Sequence, residues 1–187
     1  GIKERRILKE KGKATSFLAI QAVKNLLKKT DTDPQEIDLL IVSTISADMR
    51  FPSTSNLVCD NLGITKALNY DLAAACSGFV YGLEAVTRMV ESGGYKKAVL
   101  IGADMMSSIT DYTDRSTCPL FGDAASAVLV EPTAEDVGMI DRIIGFDGTG
   151  KDYLYLKGGG SLHPPSHETI DQKYHYLYQE GKTVFKA

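Results

Sequence analysis

Cys76 is the residue of this 187-residue chain whose type and position best suit covalent chemistry. It ends a run of small residues over 73–75 and is followed by Ser77-Gly78. Beyond it, apolar residues return at helical spacing, which predicts a helix that begins beside the thiol. Unpaired N–H groups and the dipole at a helix N-terminus stabilise an anion, so a thiolate at Cys76 is favoured. Cys76 is therefore the candidate nucleophile.

The small residues beside Cys76 also favour its role as a nucleophile. Alanines over 73–75 and Gly78 would let a long thioester approach and would allow a tight turn from strand to helix. A buried cysteine that only fills a packing position is the alternative. The other two cysteines, Cys59 within an amphipathic pattern and Cys118 before Pro119, lack the helix-start setting, and packing is the expected role for both.

Helices and strands alternate around Cys76, and this pattern predicts an α/β sheet of parallel strands with helices on both faces. A continuous apolar run in the first strand indicates burial on both of its faces. The predicted order is a helix over 16–29, a strand over 38–45, a helix from Pro52-Ser53 to Gly63, an extended stretch over 68–75, a helix from Ser77 to Gly93-Gly94 and a strand over 98–103.

Beyond Phe121 the pattern predicts mainly strands, with a helix only in the last ten residues. The predicted strands cover 124–131, 138–147, 153–157 and 174–178, with turns at Asp147-Gly148 and over 158–160. The segment 145–150 is glycine-rich but lacks the Gly-Lys-Ser/Thr sequence of a phosphate-binding loop, so a hairpin turn is expected there.

Composition narrows the class of protein. A net charge of −3 with scattered lysines and arginines predicts no nucleic-acid partner. Apolar runs are too short for a membrane-spanning helix, and three widely spaced cysteines indicate neither a disulfide framework nor a zinc site.

His163, His167 and His175 lie in or near a proline-rich segment that prevents an i, i+4 ligand pair, so no metal is expected. We expect a cytoplasmic protein without a cofactor.

Four motifs in this order resemble beta-ketoacyl-acyl-carrier-protein synthase III, a condensing enzyme of the thiolase superfamily. They are Asp71-Leu-Ala-Ala-Ala-Cys-Ser-Gly-Phe79, Phe51-Pro52-Ser53, Thr113-Asp114-Arg115 and Phe121-Gly122-Asp123-Ala124-Ala125. The resemblance covers nearly the whole chain. It implies an α/β thiolase-like fold, with residues 1–187 as the N-terminal half of a layered αβαβα architecture, truncated at both ends and without its C-terminal half.

The resemblance also implies an activity. Cys76 would take an acetyl or other short acyl group from coenzyme A, with its own backbone N–H polarising the thioester carbonyl. Malonyl-acyl carrier protein would then lose carbon dioxide and attack the acyl group in a decarboxylative Claisen condensation that starts fatty-acid synthesis. Coenzyme A enters as a thioester substrate, acyl carrier protein is the protein partner, and the enzyme would be a homodimer. The family His and Asn that support decarboxylation come from its second half, which this sequence does not reach.

Three further residues receive roles through the resemblance. Arg115 matches an arginine at the adenine end of coenzyme A, although a surface ion pair with Asp111 or Asp114 is the alternative. Phe51 matches an aromatic residue that crosses the dimer interface to line the partner's acyl pocket. Phe121 matches one beside the pantetheine tunnel, and core packing is the alternative for both phenylalanines.

Two other functions stay open. A related synthase could use the same cysteine for a polyketide, quinolone or hydroxymethylglutaryl-type condensation. A catalytically incomplete fragment could fold, and even form the thioester at Cys76, without releasing a beta-ketoacyl product.

Overall fold

The structure is a computed structural model that describes residues 1–186, which divide into two compact units. The sheet unit consists of Leu8–Met105 and Asp123–Ile144. The smaller unit consists of Gly1–Ile7, Met106–Gly122 and the residues from Gly145 onward. Whether they act as the single domain expected from the sequence stays a prediction.

A four-stranded sheet organises the sheet unit, with the strand order β2-β1-β3-β4. Strands β1, β2 and β3 are parallel, and β4 pairs with β3 in the antiparallel sense. The elements in chain order are α1 (Thr15–Thr30), β1 (Leu39–Ser43), α2 (Thr54–Leu62), β2 (Leu68–Leu72), α3 (Gly78–Glu91), β3 (Ala98–Met105) and β4 (Asp123–Val130).

Helices cover both faces of this sheet, as the sequence predicts. On one face, α1 and α2 pack against Leu40, Val42 and Val99. On the other face, α3 packs against Leu39 and Ile41. Successive residues of β1 thus point to opposite cores, and all five of its residues are buried. The continuous apolar run of β1 follows from its central place between two helical layers.

Strand β2 departs from the expectation of burial. The predicted stretch 68–75 forms a strand only over Leu68–Leu72, and its residues are half-buried or exposed. β2 lies at an edge of the sheet and pairs only with β1. An edge strand has one unpaired side, which accounts for this exposure.

Carboxylates rather than helix residues satisfy the first N–H groups of two helices. Helix α1 begins after Ala14, which makes no side-chain cap, and Asp48 accepts hydrogen bonds from the backbone N–H and hydroxyl of Ser16. Asp71 of β2 accepts from the N–H groups of Thr54 and Ser55 at the start of α2. These bonds connect each helix start to a loop or strand distant in sequence.

The smaller unit contains short elements. A two-stranded antiparallel sheet pairs β5 (Leu154–Leu156) with β6 (Leu177–Gln179), and helices α4 (His167–Asp171) and α5 (Gly181–Lys186) complete it. Ser166 caps α4 in a capping box with Thr169. His163 precedes α4, so it does not share that helix with His167.

Two predictions beyond Phe121 were wrong, and a third was confirmed only in part. The predicted strand over 138–147 has no regular structure, and Ile140, Ile143 and Phe146 are almost fully exposed. Alternation of apolar residues cannot form a strand without a neighbouring strand to pair with. The expected hairpin over 145–150 is a 3-10 turn capped by Asp147. The strand predicted over 174–178 forms only as β6, while the helix predicted at the end is confirmed as α5.

Because the Cys59 thiol is buried in the core, it makes the free energy of unfolding depend on pH. Burial raises the pKa of the Cys59 thiol from 9.0 to about 11, because the thiolate is poorly solvated there. A group with a raised folded-state pKa stabilises the fold below its unfolded pKa and loses that contribution as the pH rises through the folded value. We therefore expect the free energy of unfolding to fall more steeply between about pH 9 and pH 11 in the wild type than in Cys59→Ala.

Urea unfolding across this pH range measures the difference. Cys118→Ala is the matched control, and its slope should equal that of the wild type. Equal slopes for Cys59→Ala and the wild type would refute the assignment.

Candidate active site around Cys76

Cys76 lies in a 3-10 turn, Ala75–Ser77, that joins β2 to α3. Its side chain is exposed, so it is not a buried packing residue. Within the described residues 1–186, neither the Cys76 N–H nor its thiol has a hydrogen-bond partner. An accessible thiol at the positive end of a 14-residue helix is well placed for attack on an electrophile, with a backbone donor beside it.

The residue before the thiol has an unusual backbone conformation. Ala75 has a φ of +45°, in the left-handed region that non-glycine residues rarely adopt. Such a conformation persists only where the surrounding structure fixes it. The turn is therefore held by its neighbours, not by the preference of its own residues.

Gly78 brings the start of α3 against the end of β1. A Cβ atom built on Gly78 would lie 1.9 Å from the Ser43 hydroxyl oxygen and 3.3 Å from the Ser43 Cβ. One turn further on, a Cβ on Gly82 would lie 2.5 Å from a Leu100 methyl group. Two glycines on one face of α3 thus allow the close helix–sheet approach that places Cys76 at the carboxyl end of the parallel strands. That end is where open α/β sheets bind ligands.

Phe51 belongs to the same unit as Cys76 and is 84% exposed. It lies in the segment between β1 and α2, two positions after Met49, which is also exposed. Core packing within this chain, the alternative considered for Phe51, is not what the structure shows. An aromatic side chain left in water is available for contact with another molecule.

Arg115 and Phe121 belong to the smaller unit, both in the segment Met106–Gly122. The two acidic residues of the alternative ion pair have other partners: Asp111 pairs with Lys173 at 2.7 Å, and Asp114 accepts from Ser116 and Thr117. No ion pair of Arg115 occurs among residues 1–186, and its side chain is exposed.

Lys173 pairs with Asp111, and the sequence did not indicate this contact. Hydrogen bonds from Lys173 and Thr113 hold the pKa of Asp111 at about 2. Lys173 is 62 residues away in sequence, and its contact depends on the α4 region folding back onto Asp111. Phe121 is half-buried.

The other two cysteines lie outside the turn that carries Cys76. Cys59 is buried in the core beside α1, as expected for a packing residue, and Cys118 is half-buried. No group of three His, Cys, Asp or Glu residues within 1–186 is arranged to hold a metal ion. None of the helices in that range has the length and apolar character needed to cross a bilayer.

Comparison with known proteins gives consistent matches. A sequence profile described as 3-oxoacyl-[acyl-carrier-protein (ACP)] synthase III matches residues 70–148, which include Cys76 and Arg115. A relative from Bacteroides thetaiotaomicron, beta-ketoacyl-[acyl-carrier-protein] synthase III 2, is 52% identical over 186 residues. The match covers 100% of this chain and 56% of the relative, so the chain spans about half the length of the curated relatives it matches.

Solved structures agree. The 3-oxoacyl-[acyl-carrier-protein] synthase III of Aquifex aeolicus VF5 is 34% identical, with a TM-score of 0.87 over 99% of this chain and 55% of that structure. The priming beta-ketosynthase of the R1128 polyketide pathway is 33% identical, with a TM-score of 0.86 over 100% of this chain and 54% of that one.

A mixed sheet between helical layers, with a cysteine at the start of the helix that follows an edge strand, defines a protein of the thiolase-like fold. Within that fold, the chain is similar over its whole length to about half the length of its beta-ketoacyl-acyl-carrier-protein synthase III relatives.

The close approach at Gly78 gives a testable consequence. Gly78→Ala should lower the free energy of unfolding by about 1–3 kcal/mol, because the new methyl group overlaps the Ser43 hydroxyl. In the double variant Gly78→Ala/Ser43→Gly, part of this loss should be recovered, which urea unfolding of the four-member cycle measures.

Gly102→Ala is the matched control, because its Cβ would meet Phe79 at an ordinary 3.6 Å. It should change stability by less than about 1 kcal/mol. A Gly78→Ala variant as stable as the wild type would show that α3 does not approach β1 this closely.

Proposed function

We propose that Cys76 accepts an acyl group from an acyl-coenzyme A thioester, in a condensing enzyme that starts fatty-acid synthesis. One observation carries the proposal: the thiol is exposed at the start of α3, with its own N–H unpaired within residues 1–186, in a chain 52% identical to a beta-ketoacyl-[acyl-carrier-protein] synthase III.

The first half-reaction needs only groups at this turn. The Cys76 thiolate attacks the thioester carbonyl carbon and forms a new S–C bond, while the carbonyl oxygen becomes an oxyanion. The Cys76 N–H is available to donate to that oxyanion, a contact that is stronger in the transition state than in the substrate. Collapse breaks the bond to the coenzyme A sulfur, and coenzyme A leaves as the free thiol after taking up a proton.

In the second half-reaction, malonyl-acyl carrier protein loses its carboxylate as carbon dioxide. The resulting carbanion attacks the acyl carbon and forms a new C–C bond, the bond from the acyl carbon to the Cys76 sulfur breaks, and the released Cys76 thiolate takes up a proton from solvent. In the family that the chain resembles, a His and an Asn from the second half of the sequence support this step.

Supporting contacts are proposed for the three remaining site residues. Arg115, free of an ion pair within the described residues, would stack on and bind the adenine end of coenzyme A. Phe121 would lie beside the pantetheine arm. Phe51, 84% exposed, would reach the acyl pocket of a second subunit in a homodimer. Acyl carrier protein would be the partner, no metal or other cofactor would be needed, and the cytoplasm would be the compartment.

A priming role in polyketide synthesis is the second candidate. The similarity to the R1128 priming beta-ketosynthase favours it, since that structure matches almost as well as the solved 3-oxoacyl-[acyl-carrier-protein] synthase III of Aquifex aeolicus VF5. Both candidates use Cys76 in the same way and differ in the acyl group accepted.

Intact-mass spectrometry after incubation with acetyl-coenzyme A tests the proposal. We expect one acetyl adduct in the wild type, in Cys59→Ala and in Cys118→Ala, and none in Cys76→Ala, because only Cys76 combines exposure with the helix start. Repeating the incubation with longer acyl-coenzyme A thioesters compares the two candidates. No adduct on folded wild type, or an adduct that survives in Cys76→Ala, would contradict the proposal.

A further inference from the structure

Asp104, near the end of β3, accepts hydrogen bonds from the loop that follows β1. One of its carboxylate oxygens, Oδ1, accepts four hydrogen bonds. The donors are the Thr44 hydroxyl at 3.0 Å, the Ile45 N–H at 2.9 Å, the Ser46 N–H at 3.1 Å and the Ser46 hydroxyl at 2.8 Å. Hydrogen bonds to a charged acceptor are roughly twice as strong as neutral ones. This loop is therefore fixed from β3, about 60 residues away in sequence.

Ser46 closes the same cluster from its other side. Its hydroxyl also accepts a hydrogen bond from the Met105 N–H at 2.8 Å, and its carbonyl oxygen accepts from the buried Thr15 hydroxyl at 2.6 Å. The loop is thus tied to the end of β3 and to the start of α1, and it has little freedom to move independently of them.

Thr44 connects the Asp104 side chain to β2, the strand that precedes Cys76. While its hydroxyl contacts Asp104, its backbone N–H donates to the carbonyl oxygen of Leu72 at 3.2 Å. Leu72 is the last residue of β2, and the Cys76 turn begins three residues later. The preceding residue, Ser43, contacts Gly78 on the far side of that turn. The residues on both sides of the turn therefore contact Ser43 and Thr44, and Thr44 is bonded directly to Asp104.

We infer that Asp104 is a positioning residue for acyl transfer at Cys76, acting through Thr44, Leu72 and Ser43 on the turn Ala75–Ser77. The inference rests on the proposed function. It also accounts for the left-handed conformation of Ala75, which the turn's own sequence does not favour. Loss of the Asp104 contacts lets the turn relax and moves the thiol away from the helix N-terminus, and small misplacements of a reacting group cost large factors in rate.

Two substitutions separate the role of the hydrogen bonds from that of the charge. Asp104→Ala removes the acceptor for all four donors. Asp104→Asn keeps a carbonyl oxygen in the place of Oδ1 and is the matched control. Two rates are measured on each folded variant: acetyl transfer from acetyl-coenzyme A to Cys76, and alkylation of Cys76 by iodoacetamide relative to Cys118. Thermal melting confirms that each variant is folded.

For Asp104→Ala we expect both rates at Cys76 to fall about 10-fold or more, with alkylation of Cys118 unchanged. Asp104→Asn should stay within about threefold of the wild type, since only the charge assistance is lost. A folded Asp104→Ala with wild-type rates at Cys76 would overturn the inference. Equal losses in the Asn and Ala variants would also overturn it, because the hydrogen bonds would then not be what matters.

Two further results keep the test decisive. Should Asp104→Ala fail to fold, Thr44→Val replaces it. This variant loses the hydroxyl's hydrogen bond to Asp104 and the one it accepts from the Ser46 N–H. Both rates at Cys76 should fall by about threefold or more, and wild-type rates would overturn the inference. Should the wild type take no acetyl group at all, the proposed function fails. A fall of alkylation in Asp104→Ala would still support the positioning role.

Discussion

The contact between Gly78 and Ser43 is the constraint on which the placement of Cys76 depends. Without a side chain at residue 78, α3 can start directly against the end of β1. The thiol two residues earlier then lies at the carboxyl end of the sheet and at the positive end of the helix dipole. A larger residue at this point would separate helix and sheet, and the cysteine would lose both features together.

Aspartates supply much of the remaining order at these helix starts and strand ends. Asp48 and Asp71 satisfy the first N–H groups of α1 and α2, and Asp104 holds the loop after β1. Each accepts hydrogen bonds from backbone groups that helix and sheet geometry leave unpaired. The core fixes the layers, while these polar contacts fix the segments that lead to Cys76. An exposed thiol can therefore sit on a turn whose own residues do not favour its conformation.

The central part of the fold could be predicted from local pattern. The buried run of β1, the amphipathic α1 and the helix after Cys76 all follow from periodicity, because each element buries its apolar face within this chain. The strand expected over 138–147 failed because its pattern lacks a pairing strand within the described residues. Helix α4 was missed because its five residues carry too short a periodicity to recognise.

The site could be predicted only in part. Cys76 is marked by its small neighbours and by the helix that follows. No local pattern in the sequence indicates Asp104 or Lys173, because their contacts join residues about 60 positions apart and depend on tertiary structure. Arg115, Phe51 and Phe121 came from the family resemblance, and their roles stay predictions.

A crystal structure of the protein after reaction with acetyl-coenzyme A tests the central claim most directly. We expect electron density for an acetyl thioester on the Cys76 Sγ, with the carbonyl oxygen at a hydrogen-bonding distance of about 2.7–3.1 Å from the Cys76 N–H. An acetyl group on Cys118 instead, or a carbonyl oxygen on Cys76 turned away from that N–H into solvent, would contradict the account.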